Sequence, residues 1–375
     1  MKVIPYGRQT ISQDDVDAVC ASLQDDYLTT GPKVQEFEGK LAEYCGAKFA
    51  VSVSSGTAAL HLASLVLLNE GDRVLTTPNS FIATSNAILY AKAKPVFVDI
   101  DTSGNIDLDI CEQMLMQDSS IKAIYGVAFS GHMLNQDKLR YLKKTYNIVV
   151  LEDCAHALGA TYDNIKAGSC THSDCSIFSF HPVKHITTLE GGAITTNSKA
   201  VYDKLLLLRN HGMVKDTSMK PWEYEMVALG FNYRLTDVQC ALGISQLNRV
   251  DEFIEARRQI AKRYDDRFAH TIIKPLYAFN HNSSYHLYGV QVDFNALGHT
   301  REDLFIAMKK ENINLQVHYL PINKQRYYCN LGYGSEPTPE MNQYYEQCLS
   351  LPIFPKLSKE KQTYIQHHIL QYLTR

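Results

Sequence analysis

Between residues 48 and 197, short apolar runs alternate with stretches in which apolar residues recur every three or four positions. The apolar runs predict strands, and the three-to-four spacing predicts helices. The predicted strands are 48–54, 73–77, 95–99, 121–129, 148–153, 175–180 and 192–196, and the predicted helices include 57–68 and 135–146. Continuous apolar strands separated by helices are typical of a parallel sheet covered on both faces.

From residue 246 the pattern changes. The segment 246–268 carries apolar residues on one helical face and dense charge on the other, which predicts one long amphipathic helix. Beyond it the pattern predicts an α+β arrangement, with strands at 286–293 and 313–319 and helices at 301–311 and 358–373. We therefore predict a large domain over residues 1–245 and a smaller one over residues 246–375.

The composition is that of a globular protein, with 45% hydrophobic and 21% charged residues in a chain of 375. A net charge of -3 gives no reason to expect nucleic acid or an anionic membrane as a partner. The start of the chain lacks the apolar core of a secretion signal, and the most apolar stretch, 60–68, is too short to cross a bilayer. Nine cysteines without a C-x-x-C pair fit free thiols. We expect a cytoplasmic protein.

Three places along the chain carry candidate chemistry. The first is the segment Ser54–Ala59, SSGTAA, which follows a predicted strand and opens a helix. Small residues at a helix start let backbone N–H groups approach an anion, and the helix dipole favours negative charge there. The same residues also suit a helix cap with a tight turn, so this segment alone leaves both interpretations open.

The second place is Glu152-Asp153, at the carboxyl end of the strand 148–153. In open α/β sheets ligands bind beyond the carboxyl ends of the strands. A carboxylate there suits a metal ligand, a general base or the partner of a cationic cofactor nitrogen. A solvated acid at a helix start is the alternative.

The third place is Lys184, a few residues beyond the strand 175–180 and followed by Gly191 and Gly192. A lysine just past a buried strand can be desolvated, which lowers its pKa and exposes the nucleophilic amine. An ordinary surface lysine is the alternative. Together, a phosphate cradle, a strand-end carboxylate and a lysine are the parts that hold pyridoxal 5'-phosphate. Their order along the chain fits the aspartate-aminotransferase type of fold.

Seven segments of the sequence resemble the DegT/DnrJ/StrS-type nucleotide-sugar aminotransferases, and together they cover essentially the whole chain. They are TTGPKVQEFE (29–38), SSGTAALH (54–61), TTPNSFIATSNAI (76–88), LEDCAHALGA (151–160), SIFSFHPVKHITTLEGGAITTN (176–197), RNHGM (209–213) and GFNYRLTDVQCALGISQL (230–247). The resemblance implies the pyridoxal-phosphate-dependent transferase fold of type I. That fold has a large, mostly parallel α/β sheet domain and a smaller α+β C-terminal domain.

The resemblance assigns cofactor roles to single positions. Lys184 would form the Schiff base and move the catalytic proton, and Asp153 would pair with the pyridine nitrogen. Phe81 would stack on the ring, although a core phenylalanine is the alternative, and His156 would lie near the phenolic oxygen. The residues that would hold the phosphate are Gly56, Thr57, Ala58 and Ser179. In dehydratase relatives the lysine is commonly replaced by His, so Lys184 favours transamination.

The family resemblance also implies an obligate homodimer with shared active sites. Asn232 would reach the phosphate of the other subunit's cofactor, although the residue by itself would also suit a turn. The segments that approach the substrate site in relatives contain Tyr6, Thr30, His318 and Tyr319, each of which would also suit a structural position. His181 and Glu190 lie near the lysine along the chain and receive no role.

Three segments of the sequence indicate a substrate within the family. They are HLYGVQVD (286–293), LQVHYLPI (315–322) and SIFSFHPVKHITT. These segments most resemble the branch of the family that acts in pseudaminic acid biosynthesis. They imply a UDP-4-keto-6-deoxy-N-acetylhexosamine aminated at its keto carbon, with glutamate as the amino donor. A different nucleotide-linked 3- or 4-keto-sugar and a non-catalytic cofactor-binding regulator are the alternatives.

We expect no metal site. Cys170, His172 and Cys175 form a short cluster, but no second pair of ligands accompanies it, as a structural zinc site requires. The remaining histidines of the C-terminal half receive no function and are interpreted as ordinary surface or helix positions. The histidines concerned are His270, His281, His286, His367 and His368, and no interpretation is given for His211 and His299.

Overall fold

A computed structural model describes residues 2–374. Its longer strands lie within two residues of the predicted ones, apart from the segment 313–319 and one additional strand at 348–351. The strands are β1 (Phe49–Val53), β2 (Arg73–Thr76), β3 (Lys94–Phe97), β4 (Ile121–Val127), β5 (Val149–Asp153), β6 (Thr161–Tyr162), β7 (Ile165–Lys166), β8 (Cys175–Ser179), β9 (Gly192–Thr196), β10 (Met213–Val214), β11 (Glu225–Met226), β12 (Lys274–Pro275), β13 (Tyr288–Gln291) and β14 (Cys348–Leu351).

Most helices begin at a side chain that caps the first turn. Ser55, Asn135 and Ser198 are examples, each accepting a hydrogen bond from a backbone N–H three residues on. The helices are α1 (Gln13–Ser22), α2 (Pro32–Cys45), α3 (Gly56–Leu67), α4 (Ala83–Tyr90), α5 (Leu108–Gln117), α6 (Gln136–Tyr146), α7 (Lys199–Arg209), α8 (Asp237–Leu247), α9 (Val250–Phe268), α10 (Phe294–Leu297), α11 (Arg301–Lys310), α12 (Arg326–Asn330), α13 (Pro339–Gln347) and α14 (Lys359–Leu373).

Seven strands form the main sheet in the order β1-β9-β8-β5-β4-β2-β3. The strand β9 runs antiparallel to both of its neighbours, and the remaining strands run parallel to one another. The expected mostly parallel sheet is therefore confirmed. Because the parallel strands share one direction, their carboxyl ends meet at one edge of the sheet, where ligands bind in open α/β folds.

Helices cover both faces of this sheet, as the continuous apolar strands predict. Successive strand residues point to opposite faces, so Val74 and Leu75 of β2 join different hydrophobic clusters. The cluster with Leu75 packs against α2, α6 and α8, and the cluster with Val74 packs against α3, α4 and α7. Burial on both faces is the reason that these strands lack an apolar–polar alternation.

A separate hydrophobic cluster lies in the C-terminal third of the chain. It packs the antiparallel sheet β12-β13-β14 against α9, α11 and α14. Ile4 also belongs to this cluster, and its backbone bridges to Ile313. The helix α9 joins the two parts, because Phe253 packs in the main core and Tyr264 in the C-terminal one. A domain division at residue 245 remains a prediction.

Two of the predicted elements are wrong in detail. The segment 246–268 is not one helix, because α8 ends at Leu247 and a turn precedes α9. The segment 313–319 is extended and buries alternate residues, but within residues 2–374 it pairs only through single bridges at Ile313 and Gln316. Alternation reports which side chains face the core, and it does not report whether the backbone finds a partner strand.

Candidate active site

A cavity of about 550 Å³ lies at the edge of the main sheet where the parallel strands end. The turns after β1, β2, β5 and β8 contribute to its wall, together with residues 316–319 between α11 and α12. Ten of the predicted site residues line it, which are Tyr6, Gly56, Thr57, Phe81, Asp153, His156, Ser179, Lys184, His318 and Tyr319. Residues far apart in sequence thus share one space because the strand ends meet at one edge.

Lys184 lies in the loop between β8 and β9 and points its amine into this cavity. Burial lowers the pKa of the lysine from 10.5 to about 8, and the nearby Asp153 opposes that shift. The buried Arg257 adds to the lowering because it is a like charge. A lysine with this pKa has a substantial neutral fraction near pH 8, and only the neutral amine is a nucleophile.

Asp153 ends β5 and is buried. Its Oδ2 accepts a hydrogen bond of 2.6 Å from Thr84 Oγ1, and its Oδ1 accepts one of 3.0 Å from the N–H of Ala155. Burial raises the pKa of this carboxyl, while the two donors and the Lys184 charge oppose the rise. Each carboxylate oxygen has a second lone pair, so Asp153 retains the capacity to accept from a ligand in the cavity.

The start of α3 forms another part of the cavity wall. Gly56 packs so closely against Ser179 that an added Cβ would lie 2.9 Å from the Ser179 Cβ. The first N–H groups of a helix lack intrahelical partners, so Gly56 and Thr57 present donors beside the Ser179 hydroxyl. Ala58 differs from the expected pattern, because its N–H donates to the Ser55 Oγ at 3.0 Å and its side chain is not part of the cavity wall.

His156 and two aromatic residues, Phe81 and Tyr319, form a further part of the cavity wall. His156 is buried, its Nε2 lies 3.3 Å from the Tyr319 hydroxyl, and burial holds its pKa well below the usual value. Its Nδ1 has no hydrogen-bond partner within residues 2–374. The Phe81 ring lies 6.4 Å from the Tyr319 ring and is 57% exposed, so it presents a free face at the mouth of the cavity.

The outer wall is built from residues predicted to contact substrate. His318 is anchored by Ser350, whose Oγ lies 2.8 Å from its Nδ1, and its ring lies 5.7 Å from the Tyr6 ring. Burial lowers the pKa of His318 to about 3, with the Lys184 charge as a second cause. The imidazole is therefore neutral and serves as a donor or acceptor of hydrogen bonds.

The surface interpretation of His286 is wrong. Its side chain is only 5% exposed, lines the cavity and places Nε2 3.5 Å from the Lys184 amine. Its Nδ1 has no hydrogen-bond partner in the described part of the chain. The sequence signal was the position of His286 two residues before β13, beside the adjacent apolar residues Leu287 and Tyr288. All of residues 283–290 are buried, so His286 lies in a segment that is covered on both faces.

Besides Ala58, two predicted site residues do not line the cavity of this chain. Thr30 is exposed, with φ 56°, and its hydroxyl donates to the Thr29 carbonyl. Asn232 is also exposed, and its backbone bridges to Asn210. Glu190 and His181, which received no role, do line the cavity, as does Gln316. Their side chains add polar groups to its outer wall.

Within residues 2–374 no group of three or more His, Cys, Asp or Glu side chains is arranged to hold a metal ion. The Cys170 thiol instead donates to the Thr195 carbonyl at 3.2 Å. In the same part of the chain, no helix combines the length and apolarity that a membrane crossing requires.

The sheet order and the lysine at its ligand-binding edge define the class of the protein, which is the fold type I of pyridoxal-phosphate-dependent transferases. The model of the DegT/DnrJ/EryC1/StrS aminotransferase family matches residues 9–370. The chain belongs to this family.

Among curated proteins, the chain is 40% identical over 376 residues to a UDP-4-amino-4,6-dideoxy-N-acetyl-beta-L-altrosamine transaminase of Campylobacter jejuni, covering 100% of this chain and 98% of the relative. Among solved structures it resembles Helicobacter pylori PseC, an aminotransferase involved in the biosynthesis of pseudoaminic acid. The TM-score is 0.94 at 32% identity, and all of both chains is covered.

The sugar aminotransferase Spr1654 of Streptococcus pneumoniae, solved in a PLP form, gives a TM-score of 0.90 at 30% identity over 99% of each chain. The PMP form of the same protein gives a TM-score of 0.91 at 31% identity over 99% of this chain and 98% of that one. Aminotransferases of this family depend on pyridoxal phosphate.

Proposed function

We propose that the protein uses pyridoxal 5'-phosphate to transfer an amino group from L-glutamate to the 4-keto carbon of a UDP-4-keto-6-deoxy-N-acetylhexosamine. The product would be UDP-4-amino-4,6-dideoxy-N-acetyl-β-L-altrosamine, an intermediate of pseudaminic acid biosynthesis. The observation that carries the proposal is the position of Lys184, whose amine shares one cavity with Asp153 and with the start of α3. We expect the reaction to take place in the cytoplasm.

The residues present fit the cofactor. Gly56, Thr57 and Ser179 would hold the phosphate, because a helix start with small side chains accepts an anion. Asp153 would pair with the pyridine nitrogen, since it is buried and its carboxylate oxygens have lone pairs to spare. His156, whose Nδ1 lacks a partner within residues 2–374, would face the phenolic oxygen.

When bound, pyridoxal phosphate supplies an electron sink for the carbon that gains or loses a proton. Lys184 would move that proton, acting as base in one direction and as acid in the other, and its pKa of about 8 suits both roles near neutral pH. Asp153, in its carboxylate form, would stabilise a positive charge on the ring nitrogen. Phe81 would cover one side of the ring and restrict water.

The substrate proposal rests on relatives and on the outer wall. The C. jejuni relative is named as a UDP-4-amino-4,6-dideoxy-N-acetyl-beta-L-altrosamine transaminase, and H. pylori PseC as an aminotransferase involved in the biosynthesis of pseudoaminic acid. The outer wall supplies Tyr6, His318 and Tyr319 as neutral hydrogen-bonding groups suited to sugar hydroxyl and acetamido oxygens. The two amino partners would use this one cavity in turn, so we expect ping-pong kinetics.

The test is a pair of reactions with defined substrates. Protein loaded with pyridoxal phosphate is first given ¹⁵N-glutamate alone, and loss of the absorbance band of the lysine-bound cofactor is measured. A panel of UDP- and TDP-linked 3- and 4-keto-sugars follows, with the products identified by NMR. The proposal requires transfer of ¹⁵N to the 4-position of the UDP-linked N-acetyl sugar. Preference for another keto-sugar contradicts the substrate, and absence of any amino exchange contradicts the activity.

Lys184→Ala is the matched variant for the same reactions. It would bind no cofactor covalently and would slow amino transfer by at least about a hundredfold, the lower range for a general acid–base group. Lys204→Ala, which removes an exposed lysine of α7, is the control and would keep full activity. Unchanged activity in the Lys184 variant would contradict its proposed role.

We further propose that the enzyme is a homodimer in which Asn232 reaches the cofactor phosphate of the other subunit. Asn232 is exposed, and the neighbouring segment 213–230 carries exposed apolar side chains that a second subunit would cover. The most exposed of these are Trp222, Tyr224, Met226 and Leu229.

Mixed dimers test this arrangement. Each of the variants Lys184→Ala and Asn232→Ala would be inactive or weak alone. The two variants are unfolded and refolded together to form mixed dimers. If Asn232 acts across the interface, each mixed dimer contains one site with both residues intact. Activity would then be restored. If Asn232 acts within its own chain, or not at all, mixing restores nothing and the proposal is contradicted.

A further inference from the structure

The amine of Lys184 has a side-chain neighbour that the proposed mechanism leaves unused. Its Nζ lies 3.5 Å from Nε2 of His286, which stands 102 residues further along the chain. The contact is at the long end of hydrogen-bond distance, and it joins two groups that both line the cavity. His286 is 5% exposed, so water does not compete freely for its ring nitrogens.

The backbone that carries His286 is fixed by a buried guanidinium. Arg257, in the middle of α9, is 1% exposed and donates from Nη1 to the carbonyls of His286 at 3.1 Å, Tyr285 at 3.3 Å and Ile353 at 3.1 Å. The preceding Ser284 donates its N–H to the Gly131 carbonyl at 3.1 Å. These hydrogen bonds fix the main chain on both sides of the His286 side chain. They therefore limit how far the imidazole can move from the lysine amine.

The groups that face this imidazole are basic or neutral. The centroid of the His286 ring lies 4.4 Å from that of His156 and 5.6 Å from that of His185. Lys184 contacts the ring at Nε2, and Arg257 contacts the backbone carbonyl of the same residue. Burial, followed by the like charge of Lys184, holds the pKa of His286 well below its usual value. The imidazole is therefore neutral. A neutral imidazole nitrogen accepts a hydrogen bond in one tautomer and donates one in the other.

We propose that His286 is a positioning residue for Lys184, and that its Nε2 holds the lysine amine in the cavity whenever the amine is not joined to the cofactor. The contact serves both protonation states of the lysine, since Nε2 accepts from the charged amine and donates to the neutral one. The inference rests on the proposed function, because it presupposes that Lys184 joins and leaves a cofactor. No proton needs to move between the two residues.

The test measures how fast the cofactor-free protein captures pyridoxal phosphate, followed by the absorbance band of the lysine-bound form. Three variants are compared with the unaltered chain. His286→Phe keeps a ring but removes both nitrogens, and His286→Gln restores a polar atom near the position of Nε2. His281→Phe alters an exposed histidine of the same region and is the control.

We expect His286→Phe to capture the cofactor about tenfold more slowly, as when one orienting hydrogen bond is lost. His286→Gln would stay within about threefold of the unaltered chain, and His281→Phe would match it. Normal capture by His286→Phe overturns the inference. Equal slowing in the Phe and Gln variants also overturns it, because the shape of the imidazole would then matter rather than its hydrogen bond.

Two further results separate the causes of failure. Circular dichroism establishes that each variant is folded, and His286→Met replaces the Phe variant if that one does not fold. An unaltered chain that captures no cofactor contradicts the proposed function as a whole. An unaltered chain that captures it normally, together with a His286→Phe or His286→Met variant that does the same, contradicts only the role of His286.

Discussion

Thr84 donates a hydrogen bond of 2.6 Å to Oδ2 of Asp153, which joins the first turn of α4 to the end of β5. Thr84 Oγ1 also lies 2.8 Å from the Ser80 hydroxyl. With its own hydrogen committed to the carboxylate, Thr84 accepts from Ser80, so the two hydroxyls form a chain that ends on Asp153. This chain favours the charged carboxylate and opposes the rise in pKa that burial produces.

Thr84→Val should weaken the binding of pyridoxal phosphate. The substitution keeps the shape of the side chain and removes its donor, so the pKa of Asp153 rises further and less of the carboxyl is charged. We expect a loss of affinity of at least about tenfold, in line with one hydrogen bond to a charged group. Fluorescence titration of the cofactor-free protein at pH 6 and pH 8 measures it.

The loss in the Thr84→Val variant should be larger at pH 6, where more of the Asp153 carboxyl is protonated. Thr84→Ser is the control, because it retains the hydroxyl and should bind nearly as well as the unaltered chain. Equal affinity of the Val and Ser variants would show that the hydroxyl has no electrostatic role.

Lys184→Met should stabilise the cofactor-free protein. Burial lowers the pKa of Lys184 from 10.5 to about 8, so between these values the unfolded chain binds more protons than the folded one. Stability therefore rises with pH through this window, and below it the folded protein carries the full penalty of the buried charge. Removing the amine should add about 3 kcal/mol to the free energy of unfolding at pH 7, and less than about 1 kcal/mol at pH 10.

Urea unfolding at the two pH values measures this difference. Lys204→Met, an exposed position on α7, should change stability at neither pH. A Lys184→Met variant that is no more stable than the unaltered chain at pH 7 would mean that the lysine amine is well solvated in the folded protein.

Gly56→Ala should impair cofactor binding because the new Cβ would lie 2.9 Å from the Ser179 Cβ and 3.2 Å from its hydroxyl. Either α3 or Ser179 must shift, and both contribute to the proposed phosphate site. We expect affinity for pyridoxal phosphate to fall by about ten- to a hundredfold, the equivalent of one or two hydrogen bonds to a charged group.

Gly39→Ala is the matched control for this substitution. Gly39 lies within α2, and nothing lies within 4 Å of a Cβ added there. It should leave affinity unchanged and raise helix stability by up to about 1 kcal/mol. Similar binding by both variants, measured by titration with the cofactor, would show that the phosphate does not lie against α3.

Arg209→Met should destabilise the protein strongly. Glu38 is buried beneath β1, where it accepts from the Ser52 N–H and hydroxyl at 2.7 Å each and pairs with Arg209. Removal of the cation leaves a buried carboxylate uncompensated, which costs about 3–5 kcal/mol.

Guanidinium unfolding measures the effect of Arg209→Met. Adding Glu38→Gln should recover a large part of the loss, because the charge is then gone. Arg140→Met breaks an exposed pair with Asp137 and should cost less than about 1 kcal/mol. A comparable loss in the two arginine variants would contradict this account.

The strands of the main sheet are predictable from sequence because both faces are buried, which turns each strand into an unbroken apolar run. The positions of Asp153 and Lys184 follow from the same logic, since each stands just beyond such a run. The strand β14 escaped prediction because Ser350 interrupts its short apolar run and because it lies between a helix and an irregular segment. Short elements carry too few positions to show a period.

The sequence could not reveal that His286 contacts Lys184. The contact depends on how the C-terminal hydrophobic cluster packs against the main sheet, and no local pattern encodes that arrangement. Arg257 is a similar case, because its segment predicts a charged helix face and yet its side chain is buried among carbonyls. A long side chain with several donors can be buried where the main chain offers acceptors, whatever the period predicts.

The antiparallel strand β9 also affects the order in which the protein can assemble. On a ribosome β1 emerges early, but its sheet neighbour is β9, and all of residues 54–191 must be synthesised before that neighbour exists. Until then β1 presents an unpaired apolar edge, a common starting point for aggregation. We therefore expect the nascent chain to need protection by chaperones until residue 196 has left the exit tunnel, and the loop that carries Lys184 to reach the start of α3 only at that moment.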